Sequence, residues 1–389
     1  MIPSGLRGIR DRLEARLPVF LEELEQLVSI DSGTFDKAGV DTVGAHLQQR
    51  YVDLGAEVEI HSHDLFGDTL VARLAGAGVG RILLIGHTDT VYPAGTVAAR
   101  PFRIENGRAM GPGSADMKAG DLAILYALSA LREVDPHVLG RITVVHNSDE
   151  EIGSPSSRGL IEALSREADA VLVLEAGREN GDIVSARKGI ADVELDVTGV
   201  AAHAGVNHRR GRSAVLELSH LVTRLEALNG TIPGVTLNVG RIEGGTRPNV
   251  VADHAYGRLE IRASQRERLV EAIERVEEIV GQRTVPDTAA ACRVSISHWP
   301  MQRSDESARL VRLAQELAHE LGFDVRDTAT GGASDGNTAA QAGRPVLDGL
   351  GPVGGGAHSP GEYVAVDSIV PRVALLAGLI RALSDGMPA

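Results

Sequence analysis

The chain has 389 residues, of which 43% are hydrophobic and 24% are charged. These proportions are typical of globular proteins and exclude a disordered or fibrous chain, and the length favours two or three domains. The formal net charge is −14, and no basic cluster exceeds residues 209–212, which argues against a nucleic-acid or anionic-membrane partner.

Membrane insertion and secretion are not expected from the sequence. The longest apolar stretch near the C-terminus, residues 373–383, is about half a membrane span and contains Arg381. The N-terminal residues carry charges throughout and lack the apolar run of a secretory signal. Cys292 is the single cysteine, so an internal disulfide is excluded and a reducing compartment, the cytoplasm, is expected.

Helices and buried strands are predicted to alternate in the first half of the chain. Leucines at helical spacing fill the first 30 residues, where Pro18 predicts the start of a second helix. Asp41 is predicted to cap the next helix, and Gly55 to end it. Short apolar runs then predict strands at 69–74, 81–85, 142–145 and 170–174, with helices at 120–133 and 156–166. This alternation indicates an α/β layer with a mostly parallel sheet.

The pattern changes near residues 187–189. Residues 192–198 alternate between apolar and polar, as a half-exposed strand does. The predicted order that follows, strand–helix–strand–strand–helix–strand, is typical of a small split βαβ sandwich. From residue 305 the α/β pattern returns. The sequence therefore predicts a discontinuous α/β domain, residues 1–187 and 300–389, with an inserted α+β domain at residues 188–299.

His87 and Asp89 follow the buried strand at residues 81–85. Ligands bind at the carboxyl ends of strands in open α/β sheets, and alternate residues of an extended chain share one side. A carboxylate behind a histidine fixes the tautomer of the ring and improves it as a metal ligand. A lone histidine here would more often be an ordinary surface residue.

Further histidine and acidic side chains lie in loops or just past predicted strands, namely Asp116, Glu150, Glu151, Glu175 and His358. Each alone is more often a helix cap or a solvated residue. Glu150 and Glu151 are adjacent, so in an extended chain one could bind a metal while the other acts as a base. Together with His87 the group forms a mixed nitrogen and oxygen set suited to zinc, with cobalt or manganese as substitutes. One carboxylate shared by two metals is the plan of a two-metal hydrolase.

Five sequence motifs occur in an order that resembles the M20 metallopeptidases, most closely their glutamate carboxypeptidase branch. They are GHTDTVY (86–92), GPGSADMKAG (111–120), NSDEEIGS (147–154), AHAG (202–205) and GLGPVGGGAHS (349–359). The resemblance runs from about residue 21 to the C-terminus. It implies a zinc-dependent exopeptidase-like α/β catalytic domain and an inserted ferredoxin-like domain for lid closure and dimerisation.

The resemblance also implies roles for the metal-binding residues and the base. His87 and Glu175 would hold one zinc ion, Glu151 and His358 the other, and Asp116 would bridge both. The same likeness makes Asp89 the residue that orients His87, and Glu150 the general base that later protonates the leaving amine.

The inserted domain supplies three more candidates by resemblance. His203 would reach the active site of the partner subunit in a homodimer and stabilise the oxyanion. Asn249 would contact the substrate. Arg262 would grip the α-carboxylate of the substrate through a bidentate pair.

The leading hypothesis is a dizinc hydrolase that cleaves an amide bond adjacent to a free carboxylate and releases glutamate from N-acyl or short peptide substrates. The segments 187–189 and 332–337 look more like broader amidohydrolases, so an N-acyl-amino-acid deacylase or dipeptidase is the alternative. A non-catalytic binding protein on the same fold is a further alternative, and the retained ligands and base argue against it. The sequence contains neither a G-x-S-x-G elbow nor a P-loop.

Overall fold

The computed structural model describes residues 4–387. The helices are α1 (Ser4–Val28), α2 (Lys37–Asp53), α3 (Thr96–Ala99), α4 (Ala119–Val134), α5 (Arg158–Glu167), α6 (Ala214–Glu226), α7 (Arg266–Val280), α8 (Asp305–Glu320), α9 (Asp335–Gln341) and α10 (Val366–Ser384). The strands are β1 (Glu57–His61), β2 (Thr69–Ala75), β3 (Arg81–His87), β4 (Arg103–Glu105), β5 (Arg108–Met110), β6 (Arg141–Asn147), β7 (Ala170–Val173), β8 (Ile183–Arg187), β9 (Gly189–Thr198), β10 (Ala202–His203), β11 (Val235–Gly244), β12 (Val250–Val251), β13 (His254–Ala263), β14 (Ala289–His298), β15 (Asp327–Thr330), β16 (Val346–Leu347), β17 (Gly354–Gly355) and β18 (Tyr363–Ala365).

The chain forms two compact units. The first contains the residues up to Ser185, Arg303–Ala329 and the segment from Ser334 onward, and the second contains Ala186–Gln302 and Thr330–Ala333. Among the helices of residues 4–387, none has the length and apolar character that crossing a bilayer requires. The functions assigned above to the two domains stay predictions.

The first unit is built on a six-stranded sheet in the order β1-β2-β6-β3-β7-β16. The four strands from β6 to β16 are parallel, whereas β1 and β2 are antiparallel additions at one edge. Strands β3 and β7 are almost entirely buried, which explains their nearly continuous apolar runs. The predicted α/β layer with a mostly parallel sheet is confirmed.

Two local predictions in the first unit are wrong. No second helix begins at Pro18, because α1 continues through it. Burial of Leu13, Phe20 and Leu24 on one core outweighs the single backbone hydrogen bond that a proline removes. Asp36, rather than Asp41, caps α2 by accepting a hydrogen bond from a backbone N–H of its first turn.

A second sheet in the same unit, ordered β17-β18-β5-β4, was not predicted. Strand β18 pairs with both β17 and β5. The chain leaves β5 into the loop that carries Asp116 and leaves β17 into the loop that carries His358. A Cβ atom on Gly354 would lie 2.6 Å from the Cβ of Ala115, so only glycine lets β17 pack this closely against the first loop. The small sheet therefore brings two distant loops together.

The second unit has an antiparallel sheet in the order β11-β13-β9-β14. Buried and less buried residues alternate along β9, and helices α6 and α7 pack their apolar residues on one face of the sheet. The strand and helix order is that of a ferredoxin-like βαββαβ unit, so this part of the predicted fold class is confirmed.

Glu23 on α1 joins three helices of the first unit. Its carboxylate contacts Arg50, His46 Nε2 at 2.8 Å and the Tyr126 hydroxyl at 2.9 Å. Burial alone raises the pKa of Glu23, but hydrogen bonds from His46, Arg50 and Tyr126 outweigh burial and lower it. The ionised carboxylate therefore stabilises the folded state above its unfolded pKa of about 4.5, and this contribution is lost as the pH falls through the lower folded value.

We expect Glu23→Gln to lower the free energy of unfolding by about 1–3 kcal/mol at neutral pH, because the charge-assisted hydrogen bonds are weakened. The difference from wild type should shrink in acid, where the wild-type carboxylate is protonated as well. Urea titrations of both proteins at pH 7 and at about pH 3.5 measure the two differences. An equal difference at both pH values would contradict this account.

Candidate metal centre

Asp89 positions several other residues of the site. It is fully buried, and its carboxylate accepts hydrogen bonds from Thr34 Oγ1 at 2.7 Å and from the backbone N–H groups of Glu150 and Glu151, both at 3.2 Å. His87 Nδ1 lies 3.0 Å from the Asp89 carbonyl oxygen and 3.4 Å from its carboxylate. Asp89 therefore holds both the ring of His87 and the turn that carries the two glutamates, with Nε2 of His87 left for the cluster.

The Asp116 carboxylate lies between two imidazoles. One of its oxygens is 3.0 Å from His87 Nε2 and the other is 3.1 Å from His358 Nε2. His358 Nε2 is also 3.0 Å from Glu151, and His87 Nε2 is 3.7 Å from Glu175. The structure thus brings together the five residues predicted as metal ligands, with the predicted bridging carboxylate at their centre.

The prediction that Glu150 and Glu151 lie in extended chain is wrong. They begin a short 3₁₀ turn, Glu150–Ile152, in which successive side chains are about 120° apart. Ligand atoms of His87, Glu150 and Glu175 lie within 4.8 Å of one another, as do those of His87, Asp116 and Glu151. The turn therefore directs both carboxylates towards the cluster.

The electrostatics of the cluster reflect its crowded carboxylates. Hydrogen bonds to Asp116 and Glu151 raise the pKa of His358 to about 10. Burial raises the pKa of Asp116, but His358 and His87 outweigh burial and lower it. Burial, together with the nearby charges of Glu175 and Asp335, raises the pKa of Glu150 well above its ordinary value. The carboxylates around His87 and His358 thus favour positive charge at the centre of the cluster.

The donor set fits divalent metal ions. It consists of imidazole nitrogens and carboxylate oxygens without a thiolate, which suits zinc, cobalt or manganese. Glu151 Oε1 is buried and has no hydrogen-bond partner among the described residues. A buried carboxylate oxygen without a partner is costly, and a bound cation would satisfy it.

Glu362 was missed by the sequence reasoning. It is buried and accepts hydrogen bonds from the backbone N–H groups of Gly113, Ala115 and Asp116 at 2.9–3.1 Å, and from the Tyr92 hydroxyl at 2.6 Å. Burial raises the pKa of Glu362, although these donors oppose that effect. Glu362 therefore fixes the loop that presents Asp116. No recognisable motif marks it, since its partners are backbone groups almost 250 residues away.

We expect Glu362→Ala to weaken zinc binding by about 10–100-fold, because the loop would lose the acceptor that fixes three of its N–H groups. Glu362→Gln keeps one acceptor oxygen and should lose less. Competition for zinc against a chromophoric chelator measures both affinities, with the exposed Glu316→Ala as the matched control. Unchanged zinc affinity in a folded Glu362→Ala protein would show that this carboxylate does not position Asp116.

Asp335 is a second buried acid that the sequence reasoning did not single out. It begins α9 and accepts hydrogen bonds from Asn147 Nδ2 and Ser154 Oγ, both at 2.5 Å. Burial raises the pKa of Asp335 to about 6. These contacts fix the residues on either side of the Glu150–Ile152 turn, so Asp335 supports the turn as Asp89 does.

His203 and Asn249 lie together in the second unit. Strand β10 pairs with β12, and the backbone N–H of Ala204 donates to the Asn249 carbonyl oxygen at 2.9 Å. His203 Nδ1 accepts from the N–H groups of Gly205 and Val206 at 3.1 and 3.2 Å. Nδ1 is therefore the unprotonated nitrogen, and Nε2 carries a proton that it can donate. Both side chains are exposed.

Arg262 lies at the end of β13 and is already paired within the second unit. Its Nε and Nη2 contact the two carboxylate oxygens of Glu260 at 2.6 and 3.1 Å. Its Nη1 donates to the Gly331 carbonyl oxygen at 2.6 Å. A substrate carboxylate at this guanidinium would have to compete with Glu260.

The sequence model of peptidase family M20/M25/M40 matches residues 83–382 of the chain. The chain is 34% identical to carboxypeptidase G2 from Pseudomonas sp. (strain RS-16), over 95% of this chain and 90% of that protein. It is 30% identical to a succinyl-diaminopimelate desuccinylase from Burkholderia ambifaria, over 86% of this chain and 93% of that protein. The fold matches a tripeptidase from Staphylococcus aureus with a TM-score of 0.80 and 25% identity, over 94% of this chain and 98% of that one.

Proposed function

We propose that this chain, which belongs to peptidase family M20/M25/M40, cleaves an amide bond adjacent to a free carboxylate with the help of two zinc ions. Membership of the family makes it a metallohydrolase of the peptidase and amidohydrolase type. The observation that carries the proposal is the Asp116 carboxylate placed between His87 and His358, with acids beside each ring. We further propose that the amino acid released is glutamate.

His87 and Glu175 would hold one zinc ion, Glu151 and His358 the other, and Asp116 both; cobalt or manganese could substitute. Bound in this way, the ions would polarise the amide carbonyl and lower the pKa of water at the site. The protein supplies fixed ligands for them, because Asp89 restrains His87 and the Glu150–Ile152 turn, while Glu362 restrains the loop of Asp116.

Glu150 is the proposed general base. Its carboxylate accepts a proton from the attacking water and then donates that proton to the nitrogen of the leaving amino acid as the C–N bond breaks. Its position next to Glu151, with its ligand atom within 4.8 Å of those of His87 and Glu175, supports this role.

His203 would donate its Nε2 proton to the oxyanion that forms during attack, in the active site of a second copy of the chain. We propose a homodimer for this reason, in the cytoplasm that the single cysteine favours. Mixing His203→Ala chains with Glu150→Gln chains should then restore activity, because one of the two sites in each mixed dimer is intact. No recovery in verified mixed dimers would count against action across an interface.

Glutamate as the released amino acid rests on the similarity to carboxypeptidase G2. The similarity to a desuccinylase favours the alternative, an N-acyl-amino-acid deacylase, and the structural match to a tripeptidase favours a peptidase acting on short peptides. Asn249 would contact the substrate in each case, and Arg262 would bind its α-carboxylate.

The test compares the zinc-loaded enzyme on N-acyl-glutamate, on other N-acyl amino acids with the same acyl group, and on dipeptides. A strong preference for glutamate supports the carboxypeptidase, whereas a preference for another conjugate supports the deacylase. Arg262→Ala should raise KM by about 10–100-fold with little change in kcat, because a charge-assisted pair to the carboxylate is lost. The control, Glu260→Gln, should lower KM because it frees the guanidinium. A KM unchanged in Arg262→Ala would remove Arg262 from the site.

A further inference from the structure

We propose that an apolar cavity beside Glu151 binds the acyl group of the substrate, and that this group is uncharged, apolar and larger than acetyl. We call it the acyl cavity; it is lined by residues 33–36, 90–94 and 151–152 of the first unit and has a volume of about 470 Å³. The inference rests on the proposed function, because it assigns the part of the substrate that remains after the amino acid is released.

The acyl cavity adjoins the metal cluster through Glu151. Glu151 lines the cavity and also contacts His358 through its carboxylate at 3.0 Å. Thr34, on another wall, donates its hydroxyl to Asp89, the residue that restrains His87. An amide carbonyl at the cluster therefore has one substituent within reach of the cavity without any movement of the unit.

The walls of the cavity expose apolar side chains to solvent. Phe35 is 76% exposed, Ile152 is 42% exposed and Val91 is 40% exposed. The ring of Phe35 lies 5.9 Å from that of Phe66, which leaves most of its surface open. Exposed apolar residues that cluster around a concave surface next to a catalytic group are the usual mark of a ligand site.

Apart from Glu151, whose carboxylate is a proposed metal ligand, the polar side chains in the walls already have hydrogen-bond partners. The Thr34 hydroxyl donates to Asp89, the Tyr92 hydroxyl donates to Glu362, and Asp36 caps α2. Lysine and arginine are absent from the described lining. The nearest guanidinium, Arg100, stacks on the Tyr92 ring at 4.6 Å and already donates to the Ser359 carbonyl oxygen at 3.2 Å. A charged acyl group such as succinyl would therefore find no lysine or arginine in the lining itself, whereas the Asp36 carboxylate is part of it. The cavity therefore favours the binding of an apolar group and disfavours that of a negatively charged group.

The acyl cavity is also larger than an acetyl group requires. A volume of about 470 Å³ lies within the range of small-molecule sites, and an acetyl group would occupy only a small part of it. Longer aliphatic chains or an aromatic ring would bury more apolar surface against Phe35, Val91 and Ile152.

The experiment measures kcat/KM of the zinc-loaded enzyme on conjugates of one amino acid that carry acetyl, butanoyl, hexanoyl, benzoyl or succinyl groups. We expect an increase of about tenfold or more from acetyl to hexanoyl, with succinyl below butanoyl despite its equal chain length. Equal values across the series, or a preference for acetyl or succinyl, would overturn the inference while hydrolysis itself still supports the proposed function.

Substitutions in the cavity walls test whether the preference for the acyl group arises there. Phe35→Ala and Ile152→Ser should each lower the ratio of hexanoyl to acetyl kcat/KM by about tenfold, and Phe35→Arg should raise succinyl relative to hexanoyl. Val79→Ala, which removes an equally exposed apolar side chain in the loop after β2, should leave the ratios unchanged. If no conjugate is hydrolysed, the proposed function fails. Calorimetric titration of the zinc-loaded protein with hexanoyl and acetyl conjugates then tests the cavity separately, and equal affinities would overturn it.

Discussion

Glu150→Gln should lower kcat by about 10²–10⁴-fold, because a carboxamide cannot accept the proton of the attacking water. The substitution preserves the shape of the side chain, so KM and zinc content should change little. Steady-state kinetics together with metal analysis of the purified variant test both parts. Glu25→Gln, on the exposed face of α1, is the matched control and should behave as wild type.

The metal analysis also distinguishes two roles for Glu150. Its ligand atom lies within 4.8 Å of those of His87 and Glu175, so the geometry alone would allow it to coordinate a metal. Loss of one zinc ion per chain in Glu150→Gln would make it a ligand and would contradict its assignment as the base. Full zinc content with lost turnover supports the base.

Asp116→Ala should abolish binding of both zinc ions and reduce activity to background. Asp116 is the one carboxylate, among the described residues, in contact with both His87 and His358, so its removal takes a ligand from each proposed metal position. Zinc stoichiometry after dialysis, measured by atomic emission, is the direct readout. Asp64→Ala, at an exposed position in the loop before β2, is the control.

Single-site variants sharpen this prediction. Glu175→Ala and His358→Ala should each weaken the binding of one zinc ion and spare the other. Glu175 lies beside His87 at one proposed metal position, and His358 belongs to the other. An Asp116→Ala protein that retains two zinc ions with native affinity would rule out the bridging role.

The central strands β2, β6, β3 and β7 of the main sheet could be predicted from the sequence because they are largely buried and read as nearly continuous apolar runs. The edge strand β1, which is mostly exposed, was not predicted. Parallel strands end at the same edge, so the positions of His87 at the end of β3 and Glu175 just after β7 were enough to predict that the two residues lie near each other. The ferredoxin-like unit could be predicted equally well. Apolar and polar residues alternate along its strands, and its helices carry apolar residues at helical spacing.

The small sheet and its consequences could not be predicted. Strands β17 and β18 have two and three residues, which is too short for any periodicity to show. The sequence pattern therefore could not predict the contact between His358 and Asp116, which lies 242 positions earlier in the chain. For the same reason it gave no indication that Glu362 belongs to the site. The turn that begins at Glu150 was misread as extended because its preference is set by hydrogen bonds to buried Asp89, a contact that local sequence does not encode.

The most direct test of the two-metal account is to strip the wild-type protein with a chelator, titrate it with zinc, and follow bound zinc and amide hydrolysis together. Activity should disappear on stripping and return as the chain takes up two zinc ions. Full activity in the stripped protein, or saturation at a single zinc ion per chain with full turnover, would contradict it.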